Sequence, residues 1–173
     1  MIQMTPAFIK CTVAVCTFFP ALLLAADPAR DALFHIERNK NANIVQYDAQ
    51  LGPDGLLLAK EPVVAYWIRL AHDGEIKELT WVQKKFAYGF TAKLDRKTNT
   101  ATLDMLADLG RTLGVVRDDE DYRAVADIDG VESYVEKIFI QASGKGMSTR
   151  VEYIELHGAG MNGQGKQHER FSP

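Results

Sequence analysis

Apolar and polar residues alternate along most of this chain, and this two-residue period constrains its fold more than any other feature. Successive side chains of a strand point to opposite faces, so alternation predicts strands with one buried face. Turn residues separate the alternating runs, above all Asp129-Gly130, a pair that supplies the two positive-φ positions of a tight hairpin. The clearest runs are LFHIER (33–38), NIVQYDAQL (43–51), VVAYWIRLA (63–71) and TRVEYIELH (149–157).

The pattern predicts a mainly β protein built as one antiparallel domain, either barrel-like or a two-sheet sandwich. Connections between the predicted strands are short, whereas parallel neighbours need crossovers of about a dozen residues or more. One short helix is predicted over about 76–88, where Leu79, Val82 and Phe86 share a stripe. Gly89 is placed to end it in the left-handed conformation. We expect this helix to dock on the sheet, because so short a helix does not persist alone.

The N-terminal run follows a different pattern. After Lys10 comes a stretch of about fifteen apolar residues, interrupted by Pro20 and ending in small residues, as in a secretory signal peptide. An uncut membrane anchor would need about twenty apolar residues. We therefore predict that residues 1–26 are removed, by cleavage after Ala25 or Ala26. The protein is then expected to be periplasmic or secreted, with no membrane span after cleavage.

Cleavage would leave a single β domain over 27–157, followed by a flexible glycine-rich tail over 158–173. Cys11 and Cys16 both lie in the segment to be removed, so the mature domain has no thiol and no disulfide. The full chain carries a net charge of −3 and no basic run, and it therefore lacks the electrostatic footprint of a nucleic-acid-binding protein.

No known catalytic or metal-binding spacing occurs in the sequence. The histidines form neither His-x-His nor His-Glu-x-x-His pairs, and Gly-x-Ser-x-Gly is absent. A metal site assembled in space from His35 and His157 is the weaker alternative to ordinary strand histidines. The acidic stretch 118–121 raises the possibility of calcium, but the nearby Asp127-Ile128-Asp129-Gly130 does not match the twelve-residue calcium-binding loop, and a hairpin turn beside a solvated loop is the favoured interpretation. We predict no metal and no cofactor; the sequence favours a non-catalytic protein but leaves catalysis open, because paired carboxylates have no sequence signature.

The strand around Trp67 carries the strongest candidate binding residues. Alternation places Trp67 and Arg69 on one face, and the opposite face, with Tyr66 and Ile68, is predicted to be core. An indole beside a guanidinium suits stacking or gripping a carboxylate, and Arg38 offers a second guanidinium. We predict that these groups line a pocket for a small polar or acidic ligand. The alternative is ordinary packing, with Arg69 paired to a surface carboxylate and Trp67 under the helix.

Three stretches carry a family resemblance: LFHIERNKNANIVQYD, PVVAYWIRL and QKKFAYGF. They contain an Arg-x-Lys-Asn hairpin, a Tyr-Trp strand and Gln-x-x-x-Ala-Tyr-Gly. On these residues the chain resembles the domain of unknown function 4833 family, small exported bacterial proteins with no assigned activity. The resemblance covers the first half of the mature domain and implies no activity, but it draws attention to Arg38, Asn41, Tyr66, Trp67, Gln83 and Tyr88.

The sequence thus predicts an exported, non-catalytic β domain that binds a small polar or acidic ligand or an envelope protein. Two alternatives stay open. One is a hydrolase-like enzyme that uses a carboxylate with His35 or His157; the other is a structural or adaptor envelope protein that pairs through an exposed strand edge. The candidate ligand-binding residues are Arg38, Asn41, Tyr66, Trp67, Arg69, Gln83 and Tyr88.

Overall fold

The computed structural model describes residues 28–106, 109–144 and 148–173, and the predicted signal peptide lies outside these ranges. The strands are β1 Ala29–Arg38, β2 Asn41–Leu51, β3 Val63–Arg69, β4 Glu75–Glu78, β5 Phe90–Asp95, β6 Thr100–Met105, β7 Leu113–Asp118, β8 Asp121–Ile128, β9 Val131–Ser143, β10 Arg150–Gly160 and β11 Lys166–Phe171. The α-helix α1 spans Trp81–Phe86, and 3-10 turns occur at Leu70–His72 and Met161–Gly163. In these ranges no helix has the length and apolarity needed to cross a bilayer.

The strands form one 11-stranded sheet with the order β4-β3-β2-β1-β9-β8-β7-β6-β5, while β10 pairs with β9 and β11 with β10. The sheet is not closed, and the predicted mainly β, sandwich-like fold class is confirmed. The prediction that every pair is antiparallel is wrong at one place, because β1 and β9 run parallel, with His35 opposite Lys137. All the strands from β2 to β8 lie between these two along the chain, which leaves ample length for the crossover that parallel pairing needs.

The long strand β9 joins two halves of the molecule. Its residues 131–134 pair with β8 and its residues 137–140 pair with β1, both along the edge opposite β10. The meanders β1–β4 and β5–β8 therefore leave the same edge of β9, and they enclose one hydrophobic cluster. Across this cluster, the rings of Tyr47 in β2 and Phe90 in β5 meet edge-on with centroids 5.7 Å apart.

The helix is shorter than the predicted span of 76–88. Glu75–Glu78 is taken by β4, which pairs with the edge of β3. Thr80 then caps the helix: its backbone N–H donates to Gln83 Oε1 at 2.8 Å, and its hydroxyl accepts from the Gln83 N–H at 3.4 Å. This reciprocal capping box fixes the helix start at Trp81.

The predicted docking stripe and helix end also differ from the structure. Leu79 precedes the helix and is buried, whereas Val82 and Phe86 are exposed. Gly89 does not adopt a positive φ. A Cβ at Gly89 would lie 1.8 Å from the carbonyl oxygen of Lys84, so it is this close approach that requires glycine there.

The segment 158–173, predicted to be a flexible tail, carries regular structure. β10 continues to Gly160, and β11 pairs with it in antiparallel register. Glu169 of β11 accepts two hydrogen bonds from Arg111, at 2.6 and 2.7 Å, which tie the strand to the segment before β7. Two glycines of the β10–β11 connection adopt positive φ, so the glycine content reflects a turn between strands.

Candidate functional site

Trp67 lies at the centre of the candidate site. It is 8% exposed, and its ring packs edge-on against Tyr88 with centroids 5.1 Å apart. In the register of β2 and β3 it faces Val45, which is fully buried. The core face of β3 is therefore the Trp67 face, and the prediction that the Tyr66 face forms the core is wrong. The indole offers the largest apolar surface of the strand and so gains most from burial.

Arg38 contacts the ring of Tyr88, with its guanidinium carbon 4.6 Å from the ring centroid, a cation–π distance. Tyr88 is buried, and its carbonyl accepts a hydrogen bond of 2.7 Å from the hydroxyl of Tyr47. Burial raises the pKa of the Tyr88 phenol, while the charge of Arg38 acts in the opposite direction. Tyr88 is thus a neutral ring fixed between a cation and an indole, and we call these three residues the Arg38–Tyr88–Trp67 stack.

One atom of this stack stands out. The Nε of Arg38 is buried and has no hydrogen-bond partner in the described part of the chain. A buried donor without an acceptor costs about 1–3 kcal/mol, and more when the group is charged. The stack therefore contains a buried cationic donor with no acceptor among the described residues.

A pocket of about 290 Å³ opens beside Trp67, between β2, β3, β4 and the start of α1. Arg69 in its wall already donates to Glu75 Oε2 at 2.7 Å and to His72 Nε2 at 2.7 Å. The surface ion pair expected under the packing alternative is therefore present. The lining residues are Asn43, Trp67, Arg69, Lys77, Glu78, Thr80 and Gln83.

Gln83 and Asn41 differ in their position relative to this pocket. Gln83 lines it, while its Oε1 is occupied by the backbone N–H and the hydroxyl of Thr80, at 2.8 and 3.0 Å. Asn41 begins β2 directly opposite Arg38, and its side chain lies outside the described residues. The structure thus brings Trp67, Arg69 and Gln83 into one pocket wall.

Tyr66 lies on the opposite face of the sheet, away from this pocket. Its hydroxyl donates to Asp48 Oδ2 at 2.5 Å, and Arg30 lies 5.7 Å from the centroid of its ring. Asp48 is 5% exposed and also accepts from Gln46 at 2.9 Å. Burial, followed by the hydrogen bond to Asp48, raises the pKa of Tyr66 to about 12. Tyr66 therefore belongs to a polar cluster of its own and not to the predicted ligand site.

A second, more apolar pocket of about 400 Å³ lies on the other side of Tyr88, between β3 and β5. Val63 and Ala65 contribute from β3, and Phe90 from β5. Tyr88 lines this pocket and packs on Trp67, which lines the other.

Two histidines that sequence reasoning did not connect lie side by side. His157 of β10 and His168 of β11 are cross-strand partners, with ring centroids 4.6 Å apart. Glu155 lies 3.3 Å from His157 and 3.7 Å from His168, measured between carboxylate oxygens and Nε2 atoms. His35 is not part of this group: β9 lies between its strand and β10, and His35 contacts Glu37 at 3.2 Å. The signal that could have found His168 is the alternation of KQHERF, which the assignment of a flexible tail concealed.

The chain matches a protein-family model described as Domain of unknown function (DUF4833) over residues 34–170. The match runs from β1 to β11 and includes the Arg38–Tyr88–Trp67 stack. It confirms the resemblance noted from the sequence. No curated protein and no solved structure matches the chain.

Proposed function

We propose that this chain, which belongs to the domain of unknown function family DUF4833, is a non-catalytic binding module for a small acidic ligand. The observation that carries this proposal is the pocket beside Trp67, which has the cationic side chains of Arg69 and Lys77 in its wall. Arg38 is not among the lining residues, and its part in the site is to hold the ring of Tyr88, which packs against Trp67 in the pocket wall.

The pocket beside Trp67 fits such a ligand in size and charge. Its volume of about 290 Å³ lies at the lower end of ligand sites in proteins, which suits a small molecule. Lys77 contributes positive charge to its wall, Arg69 adds a guanidinium that is already paired with Glu75, and Trp67 offers an apolar surface beside them. Glu78 places a negative charge at the same wall, which would favour ligands that also carry a donor group.

The residue types support recognition rather than chemistry. The guanidinium of Arg69 offers hydrogen-bond donors and no acceptor, so it suits the binding of an anion and not the transfer of a proton. The carboxylate–histidine pair His157–Glu155, which the hydrolase alternative would use, lies on β10 and is not part of this pocket.

We also propose that the protein works in the periplasm or outside the cell, on the strength of the signal-peptide pattern in residues 1–26. Intact-mass measurement of the protein from the cell envelope and from the medium tests this. The expected N-terminal residue is Ala26 or Asp27. Protein in the envelope that still begins with Met1 would overturn the prediction of cleavage.

Ligand binding is tested with the purified protein and a panel of small anions, namely succinate, citrate and phosphate, with succinamide as the neutral match for succinate. Trp81→Phe leaves Trp67 as the only tryptophan, because the chain has two, so its fluorescence reports on the pocket. We expect at least one anion to change this fluorescence saturably and to raise the melting temperature, and succinamide to do neither.

The site is tested with Arg38→Gln and Arg69→Gln, and Arg96→Gln in the exposed β5–β6 turn serves as the matched control. Each site variant is expected to weaken binding at least about tenfold, while the control leaves it unchanged. Binding that survives in the Arg38→Gln, Arg69→Gln double variant, or the absence of saturable binding by every anion of the panel, would refute the proposal.

A further inference from the structure

We propose that Glu155, His157 and His168 form a binding site for a late first-row divalent cation, with Zn²⁺ as the best-fitting ion. The sequence predicts no metal site, because no two histidines stand at a metal-binding spacing. The site arises instead from strand geometry, and it is independent of the ligand pocket beside Trp67.

The three side chains converge because of their positions in the sheet. Glu155 and His157 are two residues apart on β10 and so share a face, and His168 is the direct partner of His157 on β11. Their possible ligand atoms all lie within 4.8 Å of one another. Donors that surround one tetrahedral zinc ion at about 2.0–2.1 Å lie about 3.3 Å from each other. The Nε2 of His157 lies 3.3 Å from Glu155 Oε2, close to this value, while the Nε2 of His168 lies 3.7 Å from the other oxygen, Oε1, so each imidazole faces its own carboxylate oxygen.

The donor set selects the class of ion. Two imidazole nitrogens with one carboxylate suit Zn²⁺, Cu²⁺ or Ni²⁺, whereas Mg²⁺ and Ca²⁺ prefer oxygen ligands alone. Metal binding also requires a neutral imidazole. Burial is the main cause that lowers the pKa of His157, the direction that favours the neutral ring.

Arg170 holds the carboxylate in place. Its Nε and Nη2 donate to the same oxygen, Glu155 Oε1, at 2.8 and 2.5 Å, and the other oxygen, Oε2, faces His157. Burial alone would raise the pKa of Glu155, but the hydrogen bonds from Arg170 and His157 outweigh it and the pKa is lowered. A carboxylate oriented by a second hydrogen-bonding group is the usual arrangement around metal ligands.

Two nearby cations limit the affinity. Arg170 contacts Glu155, and Lys137 of β9 is the cross-strand neighbour of His157. Their positive charges oppose a second cation at short range, so we expect micromolar rather than nanomolar binding. The side chains of Glu155, His157 and His168 are 12%, 31% and 50% exposed, so an ion can enter from solvent and keep water as a further ligand.

The test is calorimetric titration of Zn²⁺ into the purified protein, without a polyhistidine tag, at neutral pH. We expect one saturable site that is weakened at least about tenfold in His157→Ala and in His168→Ala. His35→Ala is the matched control, since His35 also lies beside a glutamate in a strand of the same sheet but outside the group. It is expected to bind Zn²⁺ as the unmodified protein does, and Mg²⁺ or Ca²⁺ is expected not to compete.

A second measurement separates ligation from an effect on folding. Co²⁺ bound at the same site is expected to show the visible absorption of a four- or five-coordinate ion, and Glu155→Gln is expected to change this spectrum. The melting temperatures of the metal-free variant and of the metal-free unmodified protein are compared in parallel, so that a change of ligand is distinguished from a loss of folding. Absence of saturable Zn²⁺ binding would overturn the proposal. So would binding that persists when both His157 and His168 are replaced, or that is lost equally in His35→Ala.

Discussion

The two faces of the same strands differ completely in character. Ile138 of β9 and Leu156 of β10 are fully buried, while their chain neighbours Lys137 and His157 lie on the outer face and engage carboxylates. The outer face carries a continuous row of cross-strand neighbours across six strands: Tyr66, Gln46, His35, Lys137, His157 and His168. A slip of one residue would exchange the two faces, so burial of the inner face also sets the outer row in register.

The largest expected effect comes from the inner face. Leu156→Ala should lower the free energy of unfolding by about 3 kcal/mol, because it removes a buried side chain and leaves a cavity. His157→Ala, one residue away on the outer face, should cost less than about 1 kcal/mol. Urea unfolding of both variants measures the difference. Equal losses would show that the outer face supports the fold as strongly as the inner face does.

The second prediction concerns the ion pair between Arg111 and Glu169, which ties β11 to the segment before β7. Hydrogen bonds from Arg111 are the main cause that lowers the pKa of Glu169, with a further bond of 3.0 Å from the Asp129 N–H. A carboxyl whose pKa is lower in the folded chain stabilises the fold above its unfolded pKa and loses this contribution as the pH falls through the folded value. Glu169→Gln should therefore cost about 1–2 kcal/mol at neutral pH and nothing in strong acid.

Unfolding measured across the acid range tests this prediction, with the exposed Glu136→Gln as control. The control should follow the unmodified protein at every pH. If Glu169→Gln kept the same acid dependence as the control, then the pair with Arg111 would not anchor β11.

The smallest effect is expected at the start of the outer row. Tyr66→Phe removes the hydrogen bond to Asp48 and should cost at most about 1 kcal/mol at neutral pH. A phenol whose pKa is raised in the folded chain contributes below its unfolded pKa of about 10. The contribution disappears as the pH rises through the folded value of about 12. Ultraviolet titration should lose one late-titrating tyrosine in Tyr66→Phe.

Local features of the fold could be predicted from the sequence because local chemistry determines them. The Asp129-Gly130 turn adopts φ values of 54° and 80°, as a tight hairpin between β8 and β9 requires. The strand alternation likewise gives the fold class. The parallel pairing of β1 with β9 could not be predicted, because alternation within a strand carries no information about which distant strand lies beside it.

The candidate site was predictable only in part, for the same reason. Residues near Trp67 and Arg69 could be grouped because they share one strand, and Gln83 joins them in the pocket wall. The face of β3 that carries Tyr66 was wrongly predicted to be core, because both faces of this strand carry large side chains. Packing against the meander β5–β8, which is distant along the chain, decides which face is buried. His168 was missed because glycine-rich sequence is typical of disorder as well as of a turn between strands.

Because β9 joins the meanders β1–β4 and β5–β8, its place late in the chain sets the order in which this protein can fold. A ribosome completes both meanders before it makes the strand that joins them, and the β1–β9 contact links residues about a hundred positions apart. Contacts so distant along the chain slow folding. A nascent chain that ends before Val131 therefore has two sets of hairpins without the strand that joins them. The last quarter of translation decides whether they become one folded domain.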